Sequence, residues 1–226
     1  MSQKQTASQK QTTSRNAPSS DSAPAVASGP RLKWRVVDIA VASVIGVASA
    51  LIYWGVAIVT YAPWSALEAI VPGLAGVFNG LWLFAGPLAA VIVRKPGAAV
   101  YAELVAAVLE ALMGNVWGGV ETVLIGLLQG VLAEVVFLAF SYRRWSLPVV
   151  TLSGTLSGIG CWAYSFFTHL QAISATGSYG IVYLITTTLS GAVVAGVLMW
   201  YLYVAIGKTG ALDAFASGRE IRGARD

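Results

Sequence analysis

The chain has 226 residues, 57% of them hydrophobic and 11% charged, with a mean hydropathy of +0.72. A soluble domain carries about 25% charged residues, so this composition excludes an ordinary soluble protein and places the chain in a bilayer. One cysteine, Cys161, excludes an internal disulfide and a multi-cysteine metal site, and one histidine, His169, leaves little for zinc or His-based catalysis.

Residues 1–30 are rich in Ser, Gln, Thr, Ala and Pro and poor in large apolar groups. Such a segment cannot bury enough surface to fold and is expected to be a disordered cytoplasmic tail. The apolar stretch after Arg35 runs to about Val59. It is too long for a signal-peptide core of about 7–15 residues, so it reads as a retained first helix. A span needs about 20 apolar residues. The expected spans are 36–59, 73–93, 97–113, 119–140, 148–168 and 179–206. Pro96 and Pro148 start the third and fifth sharply. The loop 60–72 holds Tyr61, Pro63, Trp64, Glu68 and Pro72, and is expected to include a short interfacial helix over the outer mouth. Residues 211–226 read as a short basic cytoplasmic tail, leaving 31–210 as the membrane domain.

The basic residues orient these spans. All fourteen Lys and Arg fall in the N-terminal segment, at Arg94-Lys95, at Arg143-Arg144, or in the C-terminal segment from Lys208. Short cytoplasmic loops concentrate Lys and Arg, so the pattern predicts an all-α integral membrane protein. It would be a single bundle of six transmembrane helices with both termini cytoplasmic. The net charge of +4 is thus a topology signal and not a nucleic-acid footprint. The other three loops lack Lys and Arg, leaving an outward side of aromatic, carboxylate and amide groups suited to a cation.

Ionisable groups inside a span are costly and therefore functional candidates. Glu103 and Glu110 are seven residues apart, nearly two turns, on one face of the third helix. No Lys or Arg lies within the spans to neutralise them. Each must be protonated, be hydrogen-bonded, or meet a cationic or amine-bearing ligand. The fourth helix adds Gln129 near its middle and Glu134 in its inner half, about 140° apart around the helix; Glu134 is expected to be structural. Tyr53, Trp82, Trp117, Trp162, Tyr164 and Tyr183 surround the outer half, and Asn79 shares a face with Trp82. Trp faces attract organic cations by about 2 kcal/mol or more when desolvated. Asn115 and Gln129 can supply directional hydrogen bonds, so the set suits a flat cationic heteroaromatic molecule. Along the first helix, Ala42, Gly46 and Ala50 form a small-residue stripe, fit either for packing within the chain or for docking a second membrane protein.

Other motifs fail. Gly207-Lys208-Thr209 resembles the end of a phosphate-binding loop, but Leu202 stands where that loop needs Gly. No Gly-x-Ser-x-Gly and no His pair occurs, so neither a nucleophile elbow nor a metal motif is present. No cofactor, metal or catalytic residue is expected. A secondary transporter of a small organic cation, coupled through intramembrane Glu residues, is the alternative reading.

Several runs carry a family resemblance: Gly80-Leu81-Trp82 through Phe84-Ala85-Gly86-Pro87, Arg94-Lys95-Pro96-Gly97-Ala98, Glu103 with Glu110, and Trp117-Gly118. Gly126-Leu127-Leu128-Gln129-Gly130, Ala133-Glu134, and Tyr142-Arg143-Arg144-Trp145 with Leu147-Pro148 extend it. Together they resemble the YkoE-like substrate-binding (S) components of energy-coupling-factor (ECF) vitamin transporters, over roughly residues 33–206. The resemblance implies a multi-pass plasma-membrane protein that captures vitamin from outside and does not hydrolyse ATP. It would work with a transmembrane coupling protein and cytoplasmic ATPase subunits. The implied substrate is thiamine or its hydroxymethylpyrimidine precursor. On that basis Glu110 is expected to bind the aminopyrimidine edge, with Glu103 assisting from deeper. Trp82, Trp117 and Trp162 would stack on rings, and Asn115, Gln129 and Tyr53 would give polar contacts. The stripe Ala42-Gly46-Ala50 resembles the coupling face of such components.

Overall fold

The computed structural model describes residues 32–115 and 118–223. The tail at 1–30 and the ring expected at Trp117 lie outside them. Among the described residues all regular structure is helical. Four stretches are long and apolar enough to cross a membrane: Val36–Ile70, Leu74–Val93, Gly119–Ala139 and Ser178–Lys208. Large apolar side chains such as Val44, Leu112, Val120 and Leu189 are exposed on the outside. That surface is unfavourable in water and ordinary in lipid.

Helix α1 (Val36–Ile70) is 35 residues long. At 1.5 Å per residue it reaches about 52 Å, well past a hydrocarbon core of about 30 Å. The expected loop after residue 59 is therefore helix, with Pro63 inside it. The start of α1 is held by a reciprocal cap. The Arg35 amide donates to Asp38 Oδ2 at 2.8 Å, and the Arg35 guanidinium donates to Asp38 Oδ1 at 2.7 Å. Lys95 Nζ lies 3.9 Å from the same carboxylate, which is fully buried.

The second apolar stretch is not one helix. A 3₁₀ segment (Leu74–Trp82) precedes α2 (Ala85–Val93). Pro87 explains the break. It has no N–H, and its ring would clash with the carbonyl of residue 83 in a continuous α-helix. In the third position of a new helix the missing N–H is no loss. Every residue of α2 is buried, so this short helix forms the centre of the bundle. Helix α3 (Ala98–Met113) follows a tight turn in which Arg94 and Gly97 both take positive φ, 54° and 83°.

Helix α4 (Gly119–Ala139) packs on α3, and α5 (Leu147–Thr168) packs on α4. Ser153 and Ser157 of α5 donate to the Ala133 and Gln129 carbonyls, each at 3.0 Å. The last span joins α6 (Ser178–Ser190), a π-helical segment (Gly191–Leu198) and α7 (Met199–Lys208). Gly154 of α5 and Gly196 of the π segment let the two backbones cross closely; a Cβ on Gly154 would sit 2.8 Å from the Gly196 nitrogen.

Two segments singled out in the sequence are seen in detail here. The stripe Ala42, Gly46, Ala50 is buried and faces α3. It is the α1–α3 contact of this chain, and its small side chains allow the two helices to approach. The segment after residue 210 packs against the helices. It folds under the bundle, ending in α8 (Ala216–Gly223), with Leu212 and Phe215 buried. Ser217 Oγ donates to the Ile92 carbonyl at 2.7 Å and Arg94 Nη1 pairs with Glu220 at 2.5 Å. These contacts satisfy groups at the C-terminal end of α2, where helix carbonyls lack partners of their own.

Candidate functional site

The break before Pro87 exposes the N-terminal amides of α2 inside the bundle. Two side chains receive them. Tyr53 Oη accepts from the Ala85 amide at 2.9 Å, and Glu103 Oε1 accepts from the Gly86 amide at 2.9 Å. The Tyr53 hydroxyl in turn donates to Glu103, at 3.2 Å to Oε2. A helix N-terminus has backbone N–H groups without partners of their own, and Glu103 caps this one. Glu134 does the same for α3, accepting from the Gly97 amide at 2.7 Å and the Ala99 amide at 2.9 Å. Glu68 receives the amides of Gly73 (3.0 Å) and Ala75 (3.3 Å) at the start of the 3₁₀ segment.

Glu110 is different. It is 3% exposed, and its partners are side chains. The Trp82 indole Nε1 donates to it at 3.3 Å, and the Asn115 amide bonds it as well. No backbone amide of the described residues is recorded on it.

Glu103 and Glu110 border a cavity of about 260 Å³ in the half of the bundle away from α8. That is just under the range of about 300–1,000 Å³ typical of small-molecule pockets. One wall is carboxylate-bearing: Glu103 and Glu110 from α3, with Glu121 and Gln129 from α4. The opposite wall is hydroxyl- and amide-bearing: Tyr164 and Ser165 from α5, Tyr179 and Tyr183 from α6, and Asn79 from the 3₁₀ segment. Trp82 and Tyr53 connect the two. At the rim Glu121 pairs with His169, and Trp64 closes in from the outer turns of α1. Among the described residues no Lys or Arg lines the cavity. The polar lining is therefore mostly carboxyl, amide and hydroxyl oxygens, and a guest rich in hydrogen-bond donors fits it.

The structure thus brings Glu110, Glu103, Trp82, Gln129 and Tyr53 together on one cavity. It separates two other expected residues from it. Trp162 points away: its Nε1 donates to the Gly180 carbonyl at 3.0 Å, and its ring borders a shallow apolar groove with Ile159, Leu184 and Leu189. The reason is helical phase, since Cys161 and Ser165 take the inward face of α5. Asn115 stands behind the wall, donating to Thr122 Oγ1 at 2.7 Å. Sequence reasoning did not assign Trp64, Tyr179, His169 or Glu121 to the site. Trp64 is expected in a short interfacial helix over the outer mouth; α1 instead continues to Ile70 and brings the ring to the cavity. His169 and Glu121 carried a usable signal, a lone His and a lone Glu at facing helix ends.

Comparison with known proteins agrees with this architecture. The family described as "ABC-type cobalt transport system, permease component" matches residues 37–160. The HMP/thiamine permease protein YkoE of Bacillus subtilis (strain 168) is 33% identical over 197 residues, 84% of this chain and 92% of that protein. A crystal structure of an S component of an ECF transporter superposes with a TM-score of 0.77 at 33% identity, covering 85% of this chain and 95% of that one. The chain therefore belongs to the YkoE-like S components of ECF transporters, a family of membrane transport proteins and not of enzymes.

Proposed function

We propose that this chain captures thiamine, or its hydroxymethylpyrimidine precursor, from outside the cell. It would deliver the molecule inward together with a transmembrane coupling protein and ATPase subunits. The distribution of Lys and Arg supports six spans with both termini cytoplasmic, which directs the cavity outward. The observation that carries the substrate reading is Glu110. Glu103, Glu134 and Glu68 each accept backbone amides at a helix start, whereas Glu110 is buried on the cavity wall and, among the described residues, has side-chain partners. A carboxylate so placed can accept from an aminopyrimidine, while the aromatic walls suit a thiazolium ring.

The same capping weighs against the secondary-transporter reading, because Glu103 and Glu134 are engaged as acceptors at helix starts and are not free groups along a pathway. Cobalt, named in the matching family, is also less well served. No cluster of three or more His, Cys, Asp or Glu suited to a metal ion occurs among the described residues.

The test is binding to the purified chain in detergent, followed by quenching of tryptophan fluorescence. Thiamine and hydroxymethylpyrimidine would be compared with riboflavin. Saturable quenching by thiamine or the pyrimidine, but not by riboflavin, is expected. Glu110→Gln should weaken binding by about 1.5–3 kcal/mol, the worth of a charge-assisted hydrogen bond, or roughly 10- to 150-fold in Kd. Unchanged affinity would remove Glu110 from the site.

A further inference from the structure

The hydroxyl- and amide-bearing wall contains a chain of hydrogen bonds whose direction can be worked out. Ser165 Oγ donates its single hydrogen to the Cys161 carbonyl at 3.0 Å. A hydroxyl has one hydrogen to give. The 3.3 Å contact between Ser165 Oγ and Tyr183 Oη must then run from the tyrosine to the serine. Tyr183, having donated, can only accept from its other neighbour, the Asn79 amide at 2.8 Å. Thr187 Oγ1 accepts the second amide hydrogen of Asn79, also at 2.8 Å. Both N–H groups of Asn79 are therefore used, and a flipped amide would need the hydroxyl hydrogens of Tyr183 and Thr187, taking Tyr183 from Ser165.

Asn79 is 6% exposed and lines the cavity. With Nδ2 held on the protein side, Oδ1 is the part of the amide left for a guest. No donor from the described residues is recorded on it. Small residues make this placement tolerable: a Cβ on Gly76, one turn earlier, would sit 2.6 Å from Thr187 Oγ1 and 2.9 Å from the Tyr183 ring. Ser190 pins the same segment one step further, accepting from the Gly80 amide at 2.9 Å.

We infer that Asn79 is a specificity-determining residue whose fixed Oδ1 accepts a hydrogen bond from an N–H or O–H group of the bound molecule, with Tyr183 and Thr187 as its positioning residues. This rests on the substrate reading above and deepens it. The carboxylate wall and Asn79 then both demand donors, from opposite sides. A guest offering an acceptor at the Asn79 end would face Oδ1 lone pair to lone pair. A site built around a committed polar group rejects such analogues strongly, because the buried group is left without a partner.

The test measures selectivity. Thiamine would be titrated beside two analogues, each lacking one donor: oxythiamine, in which an oxo group replaces the pyrimidine amine, and the chloroethyl analogue, in which chlorine replaces the hydroxyl. The full-length chain and its Asn79→Leu and Tyr183→Phe variants would be compared. The wild type is expected to prefer thiamine by about tenfold or more over each analogue. In Asn79→Leu one of the two preferences should fall to near unity while the other is kept. Tyr183→Phe should reduce the same preference, by less, because it keeps the ring and frees the amide to rotate; it also carries the test if Asn79→Leu does not fold. Both preferences kept, or both lost together, in the variants would overturn the inference, as would a wild type that discriminates against neither analogue. Failure of the wild type to bind thiamine would instead overturn the substrate reading, and this inference with it.

Discussion

Replacing Gly46 with leucine tests whether the small-residue stripe of α1 belongs to this chain or to a partner. A Cβ at residue 46 would lie 2.7 Å from Val105 Cγ1, 2.8 Å from Val105 Cβ and 3.0 Å from the Ala102 carbonyl oxygen. Comfortable carbon–carbon contact is about 3.5–4.0 Å. Val105 Cβ and the Ala102 carbonyl are fixed by the α3 backbone, so no rotamer change relieves the clash. The helices must part by about 1 Å, and leucine adds three further carbons beyond the Cβ. Overpacking of this kind costs about 1–3 kcal/mol. The damage should reach the cavity, since Tyr53 on α1 holds Glu103 on α3 at 3.2 Å. That bond is already near the long end of the useful range, and 1 Å more would break it. Gly46→Leu is therefore expected to lower the thermal unfolding midpoint in detergent and to weaken thiamine binding together. Gly46→Ala should show a milder form of both. Uptake by the assembled transporter would fall only in proportion. The reasoning would be refuted by a Gly46→Leu protein that binds thiamine at full strength, unfolds at the wild-type temperature and yet transports nothing. That pattern would mean the stripe meets a partner.

Two further outcomes follow from the capping and phase assignments. Glu134→Gln keeps one acceptor for the α3 amides and turns an N–H toward the other, so stability should drop by about 1–3 kcal/mol; thermal unfolding would measure it, and thiamine affinity should stay unchanged because Glu134 lies off the cavity. Trp162→Phe should leave thiamine affinity within about twofold, whereas Trp82→Phe, which removes the indole N–H from Glu110, should weaken it by roughly 0.5–1.5 kcal/mol; equal effects of the two in parallel titrations would contradict the assignment of Trp162 to the outer groove.

Much of the bundle is legible in the sequence, because in lipid the length of an apolar run nearly dictates a helix. The helices α3, α4 and α5 begin within about two residues of their expected starts. What escaped was local. The second span reads as one apolar run, yet Phe84-Ala85-Gly86-Pro87 lies in its middle, and a proline there forces an interruption at residue 83. The end of α1 escaped for the opposite reason. Tyr61, Pro63 and Glu68 look like loop residues, but the helix tolerates Pro63 and uses Glu68 to cap the next segment.

The carboxylates show why the site itself was harder to read than the fold. Composition says only that Glu103, Glu110 and Glu134 need partners; it cannot say which kind. Two of the three are held by helix starts that exist because the chain breaks at Pro87 and turns at Gly97. Without the break, Glu103 would have no amide to accept and would pass for a second ligand contact equal to Glu110. With it, the roles divide. Glu103 holds the floor of the cavity in place by binding Gly86 and Tyr53, and Glu110 is left as the buried acid on the cavity wall. The placing of these carboxyls thus follows from one proline seven residues before the basic turn. That proline converts a membrane span into two half-helices, and the cavity forms where they part.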